Sequence, residues 1–157
     1  MKTTSKAVCV SLIALAGAIV LAGCSVASTS DSGDTSDAEN RKIGVVLVGD
    51  ESEGYTKAHM DGIDAAAKKL GINDRILYKK KVLEDDSCKT AIDDLLSEDC
   101  GLIISNSYGH QDYMAPAAKN NPNTTFISMT GDYAAVSGIS NFKNAFVSIQ
   151  EARYVSG

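Results

Sequence analysis

The sequence predicts an α/β fold, an open parallel sheet with strand order 2-1-3-4-5 and helices on both faces. Three observations carry this. Short continuous apolar runs alternate with segments whose apolar residues recur at helical spacing, the signature of strand–helix–strand units. The first run, Ile43-Gly-Val-Val-Leu-Val48, has no polar face, as a strand buried on both sides requires. The second run carries Lys79-Lys80-Lys81, which suits a sheet edge because lysines discourage pairing with other chains. An edge second strand and right-handed crossovers then give the order.

Taken in order, Ile43–Val48 is the first strand, closed by Gly49. Residues 54–70 follow as a helix, with Ile63, Ala66, Ala67 and Leu70 on one stripe and Gly71 as the stop. Residues 75–83 form the second strand. Cys88, Ala91, Ile92, Leu95 and Leu96 make the next helical stripe, started by Asp86 or Ser87. Leu102–Ile104 is the third strand. A helix over 111–120 follows, with Pro116 tolerated near its start and Pro122 beyond its end. Thr125–Met129 is the fourth strand and Gly138–Phe142 the fifth. From Asn144 the chain reads helical through Phe146, Ile149 and Arg153.

The residues ahead of this fold differ in kind. Lys2 and Lys6 precede an apolar run over 8–21, too short to span a bilayer comfortably, which ends in Leu21-Ala22-Gly23-Cys24. Residues 1–23 are read as a signal peptide cut behind Gly23, and Cys24 as the thiol that takes a lipid. Two or three acyl chains there anchor firmly. Residues 24–42 are rich in Ser, Thr, Asp and Gly, cannot bury enough surface to order, and are read as a tether reaching roughly 20–25 Å. Residues 43–157 form the folded part. The expected location is the extracytoplasmic face of the cell membrane, held by the lipid alone.

The chain of 157 residues carries 15 Lys+Arg and 20 Asp+Glu, a net charge of −5. Loss of the two signal lysines makes the mature chain more negative still, which argues against a nucleic-acid partner. Cys88 and Cys100 remain after processing. A helix between them would separate their Cα atoms by roughly 18 Å, too far for a disulfide, so two buried free thiols at opposite ends of one helix are expected.

In a sheet of this order, ligands sit beyond the carboxyl ends of the strands. The first loop there, Gly49-Asp-Glu-Ser-Glu-Gly54-Tyr55-Thr56, is near a P-loop but has Tyr55 where the phosphate-binding lysine belongs. Asp50, Glu51 and Glu53 would repel phosphate, so ATP, NAD and flavin are excluded and no cofactor is expected. An aromatic ring, a hydroxyl and carboxylates suit a neutral, polyhydroxylated or aromatic ligand. The second loop, Ser105-Asn-Ser-Tyr108-Gly-His-Gln-Asp112, and the third, Thr130-Gly-Asp-Tyr133, join the same rim. The candidate ligand-binding residues are Asp50, Tyr55, Thr56, Ser107, Tyr108 and Asp112. No Ser-His-Asp or Cys-His set with local context appears, so no enzyme is expected. His59 and His110 lie on different elements, are read as ordinary surface histidines, and make no metal site.

At Gly54-Tyr55-Thr56 with His59, Ser105-Asn106-Ser107-Tyr108-Gly109, Thr130-Gly131, Asn141 and Glu151-Ala152-Arg153-Tyr154-Val155-Ser156-Gly157, the chain resembles the basic membrane protein family. These are lipoprotein substrate-binding components of ABC importers, several of which bind purine nucleosides. Ala152 departs from the family's usual Gly. The resemblance covers Lys42–Gly157 and implies the first lobe of a two-lobed type I periplasmic binding protein, a nucleoside ligand and an ABC permease partner. It implies a fragment or a truncated form. The alternatives are a single-lobe surface lipoprotein acting as sensor or interaction protein, and a sugar-binding protein.

Overall fold

A computed structural model describes residues 40–148 and 154–155. The expectations for the signal segment, for Cys24, for the tether up to residue 39, and for residues 149–153 lie outside the described residues. Five strands form one parallel sheet: β1 Lys42–Val46, β2 Ile76–Lys79, β3 Cys100–Ser105, β4 Thr125–Met129 and β5 Phe142–Ala145, in the order β2-β1-β3-β4-β5. The helices are α1 Gly54–Leu70, α2 Asp86–Ser97, α3 Gln111–Asn120 and the short α4 Ala134–Ser137. The fold class and strand order are those the sequence predicts.

The core lies on one face. Val46, Ile103, Phe126 and Phe142 point from the sheet into Cys88, Ile92, Leu95 and Met114 of α2 and α3, all essentially without solvent exposure. Gly44 lets α2 close on β1, since a Cβ there would lie 2.7 Å from a Leu95 methyl. The crossover rule puts α1 on the opposite face. Its contribution is thinner: of the expected stripe Ala67 is buried, whereas Ala66 is exposed and Leu70 is 69 % exposed. The α1 terminus behaves as expected, with Gly71 in the left-handed region at φ 69° and its N–H on the Ala67 and Lys68 carbonyls.

Several expectations are corrected. Lys42 opens β1, and Arg41 is already pinned. Its guanidinium donates to Asp99, to the Cys100 and Asn123 carbonyls and to Thr124. The fold therefore starts ahead of residue 43. The strand β2 ends at Lys79, so Lys80 and Lys81 belong to the following loop. Cys100 does not end a helix: α2 stops at Ser97, Asp99 turns the chain at φ 60°, and Cys100 begins β3. Both thiols are nonetheless free and buried. Pro116 is the sixth residue of α3, not near its start. The bond it removes would have used the carbonyl of exposed Asp112, where solvent can serve instead. The fifth strand starts at Phe142, because Gly138, φ 68°, ends α4. Asn144 and Ala145 lie in β5 and Phe146 sits at φ 57°, so no helix begins at Asn144.

Candidate functional site

The loops beyond the carboxyl ends of the strands form one rim. It is tied together by backbone: Leu47 N donates to Lys79 O, Val82 N to Leu47 O, and Lys81 N to Gly49 O. Three residues that leave β2, β4 and β5 are non-glycines in the left-handed region, Lys81, Thr130 and Phe146. For β-branched Thr130 this is a costly conformation, and strain of that kind gathers at functional sites.

The acidic first loop is spent internally. Glu53 caps α1, its carboxylate accepting from Tyr55 N and Thr56 N, each at 2.7 Å. Those hydrogen bonds from Thr56 hold its pKa below the usual value. The helix N-terminus, where a phosphate would bind, is thus already occupied by a carboxylate. Asp50 accepts from Ser52 N and Ser52 Oγ and pairs with Lys81 Nζ at 2.7 Å. Hydrogen bonding to Lys81, then to Ser52, holds its carboxyl far below the ordinary range. Glu51 pairs with Lys80 at 2.9 Å.

Tyr55 stands at the first turn of α1. Its hydroxyl donates to Asn106 O at 2.6 Å, and its ring is 38 % exposed. The His59 ring, one turn on, meets it edge-on with centroids 4.6 Å apart, and the Phe146 ring meets His59 at 6.3 Å. With Met129 and Ala58 these rings line a hollow of about 300 Å³. Thr56, in contrast, is fully buried in this conformation.

The second loop is organised by Asn106. It is buried, accepts from Val48 N at 2.9 Å through Oδ1, and leaves Nδ2 without a partner. Ser107 Oγ donates to Glu84 Oε1 at 2.6 Å. Tyr108 is 55 % exposed, and its hydroxyl donates to the Asp132 carboxylate at 3.2 Å. His110 is corrected from a surface residue to a fully buried one, with Nε2 on Val82 O at 3.0 Å. Gln111, also buried, accepts from Asp132 N and Tyr133 N at 3.0 and 2.9 Å. The third loop passes close over β5 at Gly131, where a Cβ would lie 2.6 Å from both Asn144 Nδ2 and Gln111 Oε1.

The structure therefore brings Tyr55, Ser107 and Tyr108 to one rim, with Asp50 paired beside them and Thr56 beneath. Asp112 is set apart. It lines a separate groove of about 720 Å³ that follows the flank of α3 past Lys119 to Asn141, ahead of β5. Asn141 is occupied there, its amide donating to the Ala118, Asn121 and Thr124 carbonyls. Asn144, three residues later, is the asparagine that reaches the rim, through Ala134 N and Ser128 O. The candidates read from the sequence do not include Phe146, Asp132, Glu84, Asn106 and Asn144, which the fold brings to the loops of the same rim. A buried strand that ends directly on a polar side chain was the available signal for Asn106. Among the described residues no cluster of three or more His, Cys, Asp or Glu could hold a metal ion.

Residues 41–157 match the family described as ABC transporter substrate-binding protein PnrA-like. No curated protein sequence matches the chain. Among solved structures, a transcriptional activator of the comK gene from Bacillus halodurans is similar at 17 % identity and a TM-score of 0.55. That match covers 66 % of this chain and 33 % of that one. The Lac repressor bound to ONPG aligns at 12 % identity and a TM-score of 0.48, over 74 % of this chain and 36 % of its own. The chain thus spans about a third of the length of these structures, and the first likeness speaks to the fold alone.

Proposed function

The chain belongs to the PnrA-like family of ABC transporter substrate-binding proteins, and from that premise we propose that its rim binds a purine nucleoside for delivery to a membrane permease. The observation that carries this reading is the ring-lined hollow of Tyr55, His59 and Phe146, set beside a helix N-terminus already capped by Glu53. A flat base stacks on the exposed face of Tyr55. Tyr108 and Asp132 offer a hydroxyl and a carboxylate to ribose hydroxyls, and Ser107 lies beside them. Asp50 adds a carboxylate beside Lys81, Thr56 is buried in the first turn of α1, and Asp112 serves the flank rather than the ligand. A nucleotide is disfavoured because the α1 amides that would take its phosphate are already held by the Glu53 carboxylate.

Calorimetry with adenosine, guanosine, inosine and AMP tests this. Nucleosides are expected to bind and AMP not to. Base–aromatic stacking contributes about 1–3 kcal/mol, so Tyr55→Ala is expected to weaken binding roughly 10- to 100-fold. The described residues meet one face of the base. Two or three hydrogen bonds at about 0.5–1.5 kcal/mol each, plus a second stacking partner, make a two-lobed form about 100- to 1000-fold tighter. Running the same titration with a second lobe attached therefore keeps a weak signal interpretable. Preference for AMP, or unchanged affinity in Tyr55→Ala, would overturn the assignment.

A further inference from the structure

The loop between β2 and α2 grips the loop between β3 and α3 at three points. Ser107 Oγ and Gly109 N both donate to Glu84 Oε1, each at 2.6 Å. His110 Nε2 meets Val82 O at 3.0 Å. A carbonyl can only accept, so the proton sits on Nε2. His110 is fully buried and its Nδ1 has no hydrogen-bond partner, which fixes the ring as the neutral tautomer. Gly109 makes the grip possible, because a Cβ there would lie 2.6 Å from the Glu84 carboxyl carbon. Tyr108 stands between these anchor points and reaches Asp132.

We propose that Val82–Glu84 is a clamp that positions Tyr108 at the rim, with Glu84 as its positioning residue, and that acid opens it through His110. A proton on Nδ1 would place a second N–H and a full charge in a buried space where Nδ1 makes no hydrogen bond. Opening the clamp hydrates it. The titratable groups around the clamp are Glu84, then Asp85, Asp86 and Cys88 at the start of α2, and Asp112 and Tyr113 on α3. Burial holds the His110 pKa below 6.5, against the raising effects of the Val82 backbone, of Glu84 and of the Leu83 backbone. The Ser107 and Gly109 hydrogen bonds hold Glu84 below 4.5. Both closed-state values lie below the open-state values, so the open clamp binds more protons. Closure is complete above about pH 6.5, weakens as pH falls through that value, and weakens again below about 4.5.

The clamp itself does not depend on the proposed ligand; only its effect on affinity rests on that reading. Hydrogen exchange read by NMR tests both. After correction for intrinsic rates, Gly109 N–H is expected to exchange several-fold faster at pH 5.5 than at pH 7, up to the roughly eightfold that one histidine with an open-state pKa of about 6.5 can supply. Ile103 N–H, in the centre of the sheet, is expected to stay protected and so reports intact folding. At pH 7, Glu84→Ala is expected to speed Gly109 exchange at least tenfold, and Glu84→Gln to restore most of the protection, since its amide oxygen still accepts. Nucleoside affinity is expected to follow the same order. Gly109 protection that ignores both pH and Glu84→Ala overturns the clamp, as does a His110 that titrates near 6.5. A responsive Gly109 in a protein that binds no nucleoside upholds the clamp and sinks the ligand assignment instead.

Discussion

Gly131 is where three parts of the rim meet, and it shows what single residues decide here. The Asn144 amide bonds Ala134 N and Ser128 O, and the Gln111 amide bonds Asp132 N and Tyr133 N. A methyl at residue 131 would lie 2.6 Å from both amides and 3.1 Å from Ser128 Oγ. None of the three can retreat without breaking a bond it already makes. Gly131→Ala is therefore expected to destabilise the protein by about 1–3 kcal/mol, the range for overpacking a filled site. Urea denaturation measures this as a lowered midpoint, and an unchanged midpoint would mean the loop is looser than described. The importance of Thr130-Gly131 was legible as a motif, but its cause was not, because the neighbours come from 13 and 20 residues away. The same limit applies to Asp50 and Glu51. The sequence showed carboxylates in a ligand loop, whereas the fold turns them onto Lys81 and Lys80. Glu84 was invisible for the complementary reason: nothing in its local sequence says that it meets Ser107 and Gly109.

At the scale of elements, apolar runs located β1, β3 and β4 well, because a strand buried on both faces has no polar alternation to confuse it. β5 was misplaced by about four residues. Its run Phe142-Lys-Asn-Ala145 is half polar, as an edge strand can be, and the apolar Ile139 drew the assignment upstream. The short α4 has too few residues to show a period. The cysteines illustrate an expectation that held for an incorrect reason. Cys88 lies on the buried stripe of α2 and Cys100 opens the central strand β3, so burial rather than helix length protects them. Burial pushes the Cys88 thiol up to about 12 and raises Cys100 as well. A protonated, buried thiol is a poor nucleophile. Iodoacetamide at pH 8 is expected to leave both cysteines unlabelled in the native protein and to label both in denaturant without reductant. Peptide mass spectrometry distinguishes them from Cys9 and Cys24. A pair that reacts in denaturant only after reduction would mean a disulfide, and would contradict the separate elements that carry them.

At the scale of the whole molecule, the direction of β1 separates the start of the fold from the rim. A parallel sheet gathers the amino ends of its strands on one side and the carboxyl ends on the other. The chain enters at Arg41, which is fastened to Asp99, Cys100 O and Asn123 O at the amino side. The ring-lined hollow lies at the carboxyl side. Single acyl chains bind membranes reversibly, whereas the two or three expected on Cys24 anchor stably. Among the described residues no helix is long and apolar enough to cross a membrane, and the lipid expected on Cys24 is the attachment to test. The wild-type chain is accordingly expected to enter the detergent phase on Triton X-114 partitioning. Cys24→Ala is expected to leave the aqueous fold unchanged, to lose the acyl mass shift, and to accumulate with residues 1–23 uncut, because cleavage follows lipid transfer. Proteolysis within 25–40 is expected to release a water-soluble domain that keeps the affinity of the rim. A Cys24→Ala chain still processed at Gly23 and still in the detergent phase would show that something other than this thiol attaches the protein.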